Sequence, residues 1–161
     1  MGDHSEAIEI AYDPRVVSYE ELLEVFWREH DSTHPPYSIQ YRSAIFVHDE
    51  EQRRVAQASL ARAEKQRGAR VYTAIEKAGR FTDAEDYHQK YMLRSRRELV
   101  SWLEDHYGNP AWTRSTLAAR LSGFVGGDAT RAEVVETAGS LGLDAALITG
   151  LDRIMERAER R

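Results

Sequence analysis

The sequence predicts an α+β fold, a β-α-β-α-β-α succession followed by a small all-helical appendage. Three observations carry this. Short apolar runs with strand character recur at Glu6–Tyr12, Ala44–Val47 and Val71–Ile75. Between them lie amphipathic stretches that open on capping residues, and helices interposed between strands imply an α/β layer. After Arg94 the strand-like runs stop and only helical patterns remain. The expected organisation is therefore an α/β domain over residues 1–94 and a helical extension over residues 95–161.

Each element has a local reason. In EAIEIAY, Ala7, Glu9 and Ala11 alternate with Ile8, Ile10 and Tyr12, the period of a strand with one buried face. Asp13-Pro14 ends it. Ser18 with Glu21 forms a capping box, and Val17 can staple to Leu22. Leu22, Phe26 and His30 then stack at i+4, with Leu23 and Trp27 beside them. Residues 31–38 form a loop held by Pro35-Pro36. Ala44–Val47 reads as a short strand. Asp49 with Gln52 opens a helix over 50–67 that Gly68 ends. Val71–Ile75 reads as a third strand, and Thr82 with Glu85 caps a helix running through Tyr87, His88, Tyr91 and Met92.

In the extension, Glu98–His106 is helical, and Asn109-Pro110 suggests an N-cap followed by proline at the first helical position. Leu117 and Leu121 follow. Thr130 with Glu133 caps another helix. The last, over about 144–159, aligns Leu147, Leu151, Ile154 and Ala158, with Gly150 weakening it by about 1 kcal/mol relative to alanine. These apolar stripes must bury against each other, the first domain or a partner.

Composition narrows the function classes. With 42% hydrophobic and 30% charged residues the chain has material for a core and is not a disordered polymer. No apolar run approaches the ~18 residues of a membrane span, and no leader pattern is visible, so a cytoplasmic location and no membrane partner are expected. The net charge is −5, with bases in excess only across residues 51–100. There Glu51 and Glu64 interrupt the arginines, which describes a solvated helix face and not a nucleic-acid interface. His30 and His34 are spaced four apart, but His34 precedes Pro35, and no ligand spacing of the HExxH kind occurs, so no metal site is expected. His4 and His48 lie at or near expected strand ends. The glycines at 123, 126 and 127 lack the lysine of a phosphate loop, and no serine sits in a nucleophile elbow. There is no cysteine, which excludes disulfides, thiolate metal sites and a cysteine nucleophile within these residues.

Four segments in order, GDHSEAIEIAYDP, VSYEELLEVFWREHD, QYRSAIFVHDEEQ and FTDAEDYHQKY, resemble the A-type peptide methionine sulfoxide reductases, thiol enzymes that reduce the S-epimer of methionine sulfoxide. The likeness covers about residues 2–94. It implies a partial ferredoxin-like α/β plait, because the family's nucleophile lies in a Gly-Cys-Phe-Trp segment upstream of the part that matches Gly2. A strand, a helix and a further strand of the family core are then expected to be missing. That absence would leave sheet edges and an apolar face uncovered. Phe26-Trp27 follows Val25 and resembles the family's second, structural Phe-Trp.

What the resemblance implies chemically is attack of a thiolate on the sulfoxide sulfur. A neighbouring acid protonates the departing oxygen and phenols hold it. The attacking cysteine becomes a sulfenic acid, which thioredoxin or a dithiol reduces; no bound cofactor is implied. By resemblance Glu6 is the acid, a role that burial near aromatics would favour, and Tyr41 is the phenol. Arg42 is expected to clamp a carboxylate or carbonyls beside a strand. Asp86 and His88 are expected to support the pocket loops without touching substrate. The family usually places an aspartate shortly before this tyrosine; HPPYSIQ has none, the role is not transferred to Asp31, and Tyr37 could serve as a pocket wall. The implied substrate is a methionine-sulfoxide-containing peptide or protein, or free methionine sulfoxide. The residues as written are expected to be inactive without a nucleophile. The alternatives are a non-catalytic methionine-sulfoxide-binding protein and a partner-binding protein using the helical stripes.

Overall fold

The structure is a computed structural model and describes residues 5–160; His4 and the first residues of the GDHSE segment lie outside them. The fold is mixed, seven helices and a small parallel sheet among the described residues. It divides into two compact units between Thr82 and Asp83. Among the described residues no helix is long and apolar enough to cross a membrane.

The first unit is built on one β-α-β element. Helix α1 spans Tyr19–Arg28, and its N-cap Ser18 accepts from the Glu21 backbone while the Glu21 carboxylate accepts from the Ser18 backbone, the expected capping box. Strand β1 is Ala44–Val47. Helix α2, Glu50–Arg67, starts at Asp49, whose carboxylate accepts from Gln52 N–H, and stops at Gly68. Gly68 has φ 62°, a left-handed conformation that glycine adopts without a Cβ penalty. Strand β2, Ala74–Lys77, pairs in parallel with β1, Ala44 opposite Ala74 and Phe46 opposite Glu76. Leu23, Ile45, Val47, Val55 and Ala56 form the core of this unit, with Tyr19, Phe26, Trp27 and Ile75 packed on it.

The second unit begins with a series of turns and a single helical turn α3, Tyr91–Arg94. Then come α4, Arg97–Tyr107, a 3-10 turn at Ala111–Arg114, α5, Thr116–Gly126, α6, Arg131–Ser140, and α7, Ala145–Glu159. Leu93, Leu99, Leu103, Trp112, Leu117, Leu121, Val134, Leu151 and Met155 are buried together. The stripes of this unit thus bury against each other, and Ile154 packs on the same core. The α6 capping box, Thr130 with Glu133, forms as the spacing predicts.

Four expectations are corrected. Glu6–Tyr12 forms no strand. Its alternation is genuine, but the face it would bury has no neighbouring strand among the described residues, and Ile8 and Ile10 stand 84% and 54% exposed. The strand expected at Val71–Ile75 begins instead at Ala74, although Val71 and Thr73 are buried. The helix expected from Thr82 is irregular chain to Glu85 and turns from Asp86 to Lys90. Tyr87, His88, Tyr91 and Met92 are exposed, so no packing stabilises a helix too short to persist alone. Pro110 does not open α5: a 3-10 turn intervenes and Ser115 provides the cap, accepting from Ala118 N–H. The division into compact units lies between Thr82 and Asp83. The segment before Arg94 joins the helical unit because Leu93 is fully buried there and the Arg94 guanidinium lies 5.0 Å from the Trp112 ring centre.

Two outcomes follow from these contacts. Leu103→Ala, at a fully buried position, should lower the unfolding free energy by about 2–5 kcal/mol in a denaturant titration; a change below about 1 kcal/mol would contradict the packing described. Glu133 accepts from the Thr130 backbone and hydroxyl, and these bonds hold its carboxyl below the usual glutamate range. The stabilisation is therefore present above the ordinary unfolded value and is lost as pH falls through the lowered folded one. Melting temperature followed on acidification should drop less steeply in Glu133→Gln, which keeps a capping side chain without titrating; identical slopes would remove this carboxylate from the pH dependence.

Candidate active site

The sequence-predicted residues divide between the two units. Glu6, Tyr41 and Arg42 belong to the first. Asp86 and His88 belong to the second and are described there.

In the first unit, residues 31–43 connect α1 to β1 and are tied down at several points. The Asp31 carboxylate accepts from the Thr33 backbone and hydroxyl, a local turn that lowers its pKa, chiefly through the hydroxyl. The Arg67 guanidinium, from the end of α2, donates to the Ser32 hydroxyl and to the backbone oxygens of Trp27 and His30. His30 closes the other side. Its Nδ1 lies 2.6 Å from Phe26 O and its Nε2 2.8 Å from Ser43 Oγ, which in turn is 2.7 Å from Thr73 Oγ1. Phe26 packs edge-on to both Trp27 and His30, and Trp27 donates from Nε1 to Ser59 Oγ. Phe26, Trp27 and His30 thus work as packing and anchoring groups, as the resemblance implies for the Phe-Trp pair. Both His30 nitrogens are engaged, and among the described residues no three His, Cys, Asp or Glu side chains gather as a metal site would need.

This anchored connection presents Gln40, Tyr41 and Arg42 to the N-terminal segment. Glu6 N–H donates to Gln40 O at 2.9 Å, and Gln40 Nε2 donates back to Glu6 Oε1 at 2.9 Å. Ser5 Oγ donates to Ile39 O at 3.1 Å. The carboxyl-bearing segment is therefore held against the residues that lead into Tyr41. Glu6 is exposed in this unit and not enclosed by aromatics. Tyr41 is 63% exposed, its backbone N–H reaches Ser38 Oγ, and among the described residues its hydroxyl has no hydrogen-bond partner. Tyr37 is 96% exposed. The arrangement leaves the Glu6 carboxyl and the Tyr41 phenol each exposed, with one carboxylate oxygen of Glu6 accepting from Gln40.

Arg42 does what its residue type suggests. Its two terminal nitrogens donate to the two carboxylate oxygens of Glu76 at 2.6 and 2.7 Å, a bidentate pair. Its Nε donates to Ser5 Oγ at 2.9 Å, and its guanidinium sits 5.9 Å from the Phe46 ring centre. Gln40, Ser5 and Glu76 were not singled out from sequence. Glu76 had a signal, an acid inside the apolar run VYTAIEK; its neighbour in the sheet is Phe46, on the strand that follows Arg42.

A cavity of about 460 Å³ lined by Arg28, His30, Asp31, Thr33 and Arg67 lies at the end of α1, away from Glu6 and Tyr41 in its lining. In the second unit, Asp86 and His88 lie in turns: Asp86 O accepts from Gln89 N–H, His88 N–H donates to Glu85 O, and the Tyr87 and His88 rings are 4.2 Å apart. Both side chains are exposed. The turns are tied to their own unit by the Asp83–Arg114 ion pair and by Arg94 Nε donating to Gln89 O.

Comparison with known proteins gives these residues a context. A family model described as peptide methionine sulfoxide reductase matches residues 1–111. The chain is 40% identical over 129 residues to the peptide methionine sulfoxide reductase of Drosophila melanogaster, covering 79% of this chain and 52% of that protein. It is 46% identical over 104 residues to the peptide methionine sulfoxide reductase MsrA of Methanothermobacter thermautotrophicus, covering 60% of this chain and 62% of that one. It is 38% identical over 130 residues to peptide methionine sulfoxide reductase A5 of Arabidopsis thaliana, covering 77% of this chain and 51% of that one. The chain spans about half to just under two-thirds of the length of such relatives. With the model matching well over half of its residues, the chain belongs to the peptide methionine sulfoxide reductase family, in its A-type branch.

Proposed function

We propose that these residues form the sulfoxide-recognising part of a methionine-S-sulfoxide reductase, with Glu6 as proton donor and Tyr41 as the phenol that holds the sulfoxide oxygen. The observation that carries the reading is the reciprocal hydrogen bonding of Glu6 and Gln40, in a chain whose relatives are named for this activity. It brings the acid segment to the residue beside Tyr41. Gln40 occupies one carboxyl oxygen of Glu6, which leaves the other to carry and deliver the proton. The exposed Tyr41 hydroxyl, without a hydrogen-bond partner among the described residues, can donate to the oxygen as its charge changes. The parallel β1–α2–β2 element is read as the portion of a ferredoxin-like plait that these residues supply, and Asp86 and His88 as supports of the turns that bear them.

The reaction balances as methionine sulfoxide plus a thiol giving methionine plus a sulfenic acid. The thiolate sulfur bonds to the sulfoxide sulfur as the protonated oxygen leaves as water. Water then attacks the thiol-derived sulfur and loses a proton, and the S–S bond breaks with its electron pair going to the methionine sulfur. A second thiol later converts the resulting sulfenic acid to a disulfide and water. The substrate is a methionine-sulfoxide-bearing peptide or the free amino acid, and the reductant is thioredoxin or a small dithiol. The reading calls for no bound cofactor or metal. None of the 161 residues is cysteine, so the attacking thiolate has to come from outside them. A purely binding role uses the same two side chains and is favoured by that composition.

Incubated with methionine-S-sulfoxide and dithiothreitol or thioredoxin, this chain should show no turnover above a protein-free control, and a reproducible single turnover would overturn the reading. Supplying a segment that bears Gly-Cys-Phe-Trp should restore turnover if the chain is part of a reductase and should not if its role is binding alone. Calorimetric titration with a methionine-S-sulfoxide peptide should give measurable heat, weakened about five- to tenfold by Tyr41→Phe through loss of one hydrogen bond. A flat titration of the unaltered chain would remove Glu6 and Tyr41 as a recognition site.

A further inference from the structure

The Glu6–Gln40 contact is made by an exposed segment that belongs to no strand. One backbone and one side-chain hydrogen bond on an exposed segment do not by themselves hold a side chain in place, because such bonds open with little cost. Something must restrain residues 5 and 6 if the carboxyl is to meet a substrate in one geometry.

The restraint is a three-way junction at Arg42. The bidentate bonds to Glu76 fix the guanidinium plane against β2. The Arg42 side chain is 23% exposed and that of Glu76 43%, so the pair is partly shielded from water and its geometry is held more firmly than that of a fully exposed pair. With both terminal nitrogens on Glu76, the remaining Nε points its hydrogen at Ser5 Oγ, 2.9 Å away. Ser5 passes the restraint on, since its own hydroxyl donates to Ile39 O. Ser5 precedes Glu6, and Ile39 precedes Gln40, so the junction secures both ends of the Glu6–Gln40 contact.

We propose that Glu76 is a positioning residue for the sulfoxide site, acting through Arg42 and Ser5 to hold Glu6 against Gln40, the residue before Tyr41. The inference rests on the proposed roles of Glu6 and Tyr41 but concerns a residue that touches no substrate. Charge on Glu76 is needed to orient Arg42. Orientation of Arg42 is needed to reach Ser5. Lysine at position 42 would keep the charge and lose the junction, because an ammonium cannot present this planar set of donors.

The test is amide hydrogen exchange read by NMR on the full chain, alongside calorimetric titration with a methionine-S-sulfoxide peptide. Glu76→Gln and Ser5→Ala should each speed exchange of the Glu6 amide by about five- to tenfold, the loss of roughly one hydrogen bond's worth of restraint, and should weaken the peptide by a similar factor. Ser5→Ala leaves the Arg42–Glu76 pair intact, so its melting temperature should match the unaltered chain, which separates positioning from folding. Glu51→Gln, which breaks the α2 surface pair with Arg54, should leave Glu6 exchange unchanged. The proposal is overturned if the Glu6 amide is unprotected in the unaltered chain, if Glu76→Gln and Ser5→Ala leave its exchange unaltered, or if Glu51→Gln speeds it equally. Absence of peptide binding by the unaltered chain would instead remove the functional reading, while the exchange comparison still decides whether the junction restrains Glu6.

Discussion

The guanidinium of Arg42 joins three parts of the first unit that the covalent chain leaves far apart in sequence: the N-terminal segment through Ser5, the approach to β1 on which it sits, and β2 through Glu76. Few side chains can do this. A guanidinium has five donors in one plane, so it can satisfy a carboxylate with two and still direct a third elsewhere. The placement of Glu6 next to the Tyr41 approach depends on that geometry, since neither residue is enclosed by the core.

The core beneath is small and does a different task. Leu23, Ile45, Val47, Val55 and Ala56 hold α1 and α2 on a sheet of two strands. Around it, Arg67 and His30 secure the connection between α1 and β1 by bonding to backbone oxygens and to Ser43. That connection has no secondary structure of its own, and its backbone groups need partners from elsewhere. The scaffold is thus apolar where helices meet strands and polar where the loop meets the scaffold. Outside that core, Ile8, Val16, Tyr37 and Ile39 are exposed.

The helical unit is more self-contained. Leu93, Trp112, Leu117, Leu121, Leu151 and Met155 are all fully buried, and its helices α5, α6 and α7 carry side-chain caps at Ser115, Thr130 and Asp144. Gly127, at φ 90°, ends α5 in the left-handed region that its missing Cβ permits. Asp86 and His88 stand at the entrance to this unit on turns whose local bonds involve Glu85 and Gln89. Their sequence signature is strong, but the chain around them gives helical periodicity without an apolar face to pack.

Elements governed by short-range chemistry were legible without coordinates. Both capping boxes, the Asp49 start and Gly68 stop of α2, strand β1 and the late helices each depend on residues a few positions apart, and local bonding chooses between few conformations there. The clamping of a carboxylate by Arg42 could also be named from its residue type. Only the tertiary structure decided whether a pattern found a partner. EAIEIAY alternates correctly and forms no strand because no neighbour among the described residues supplies the ladder; TDAEDYHQKYM has a cap signal and forms no helix before Tyr91 because its face stays exposed. Glu76 became the counter-ion of Arg42 through the parallel register of β1 and β2, and Ser5 became its third acceptor through a contact across 37 positions. Pairings of that kind are set by how the chain closes on itself, and no local spacing encodes them.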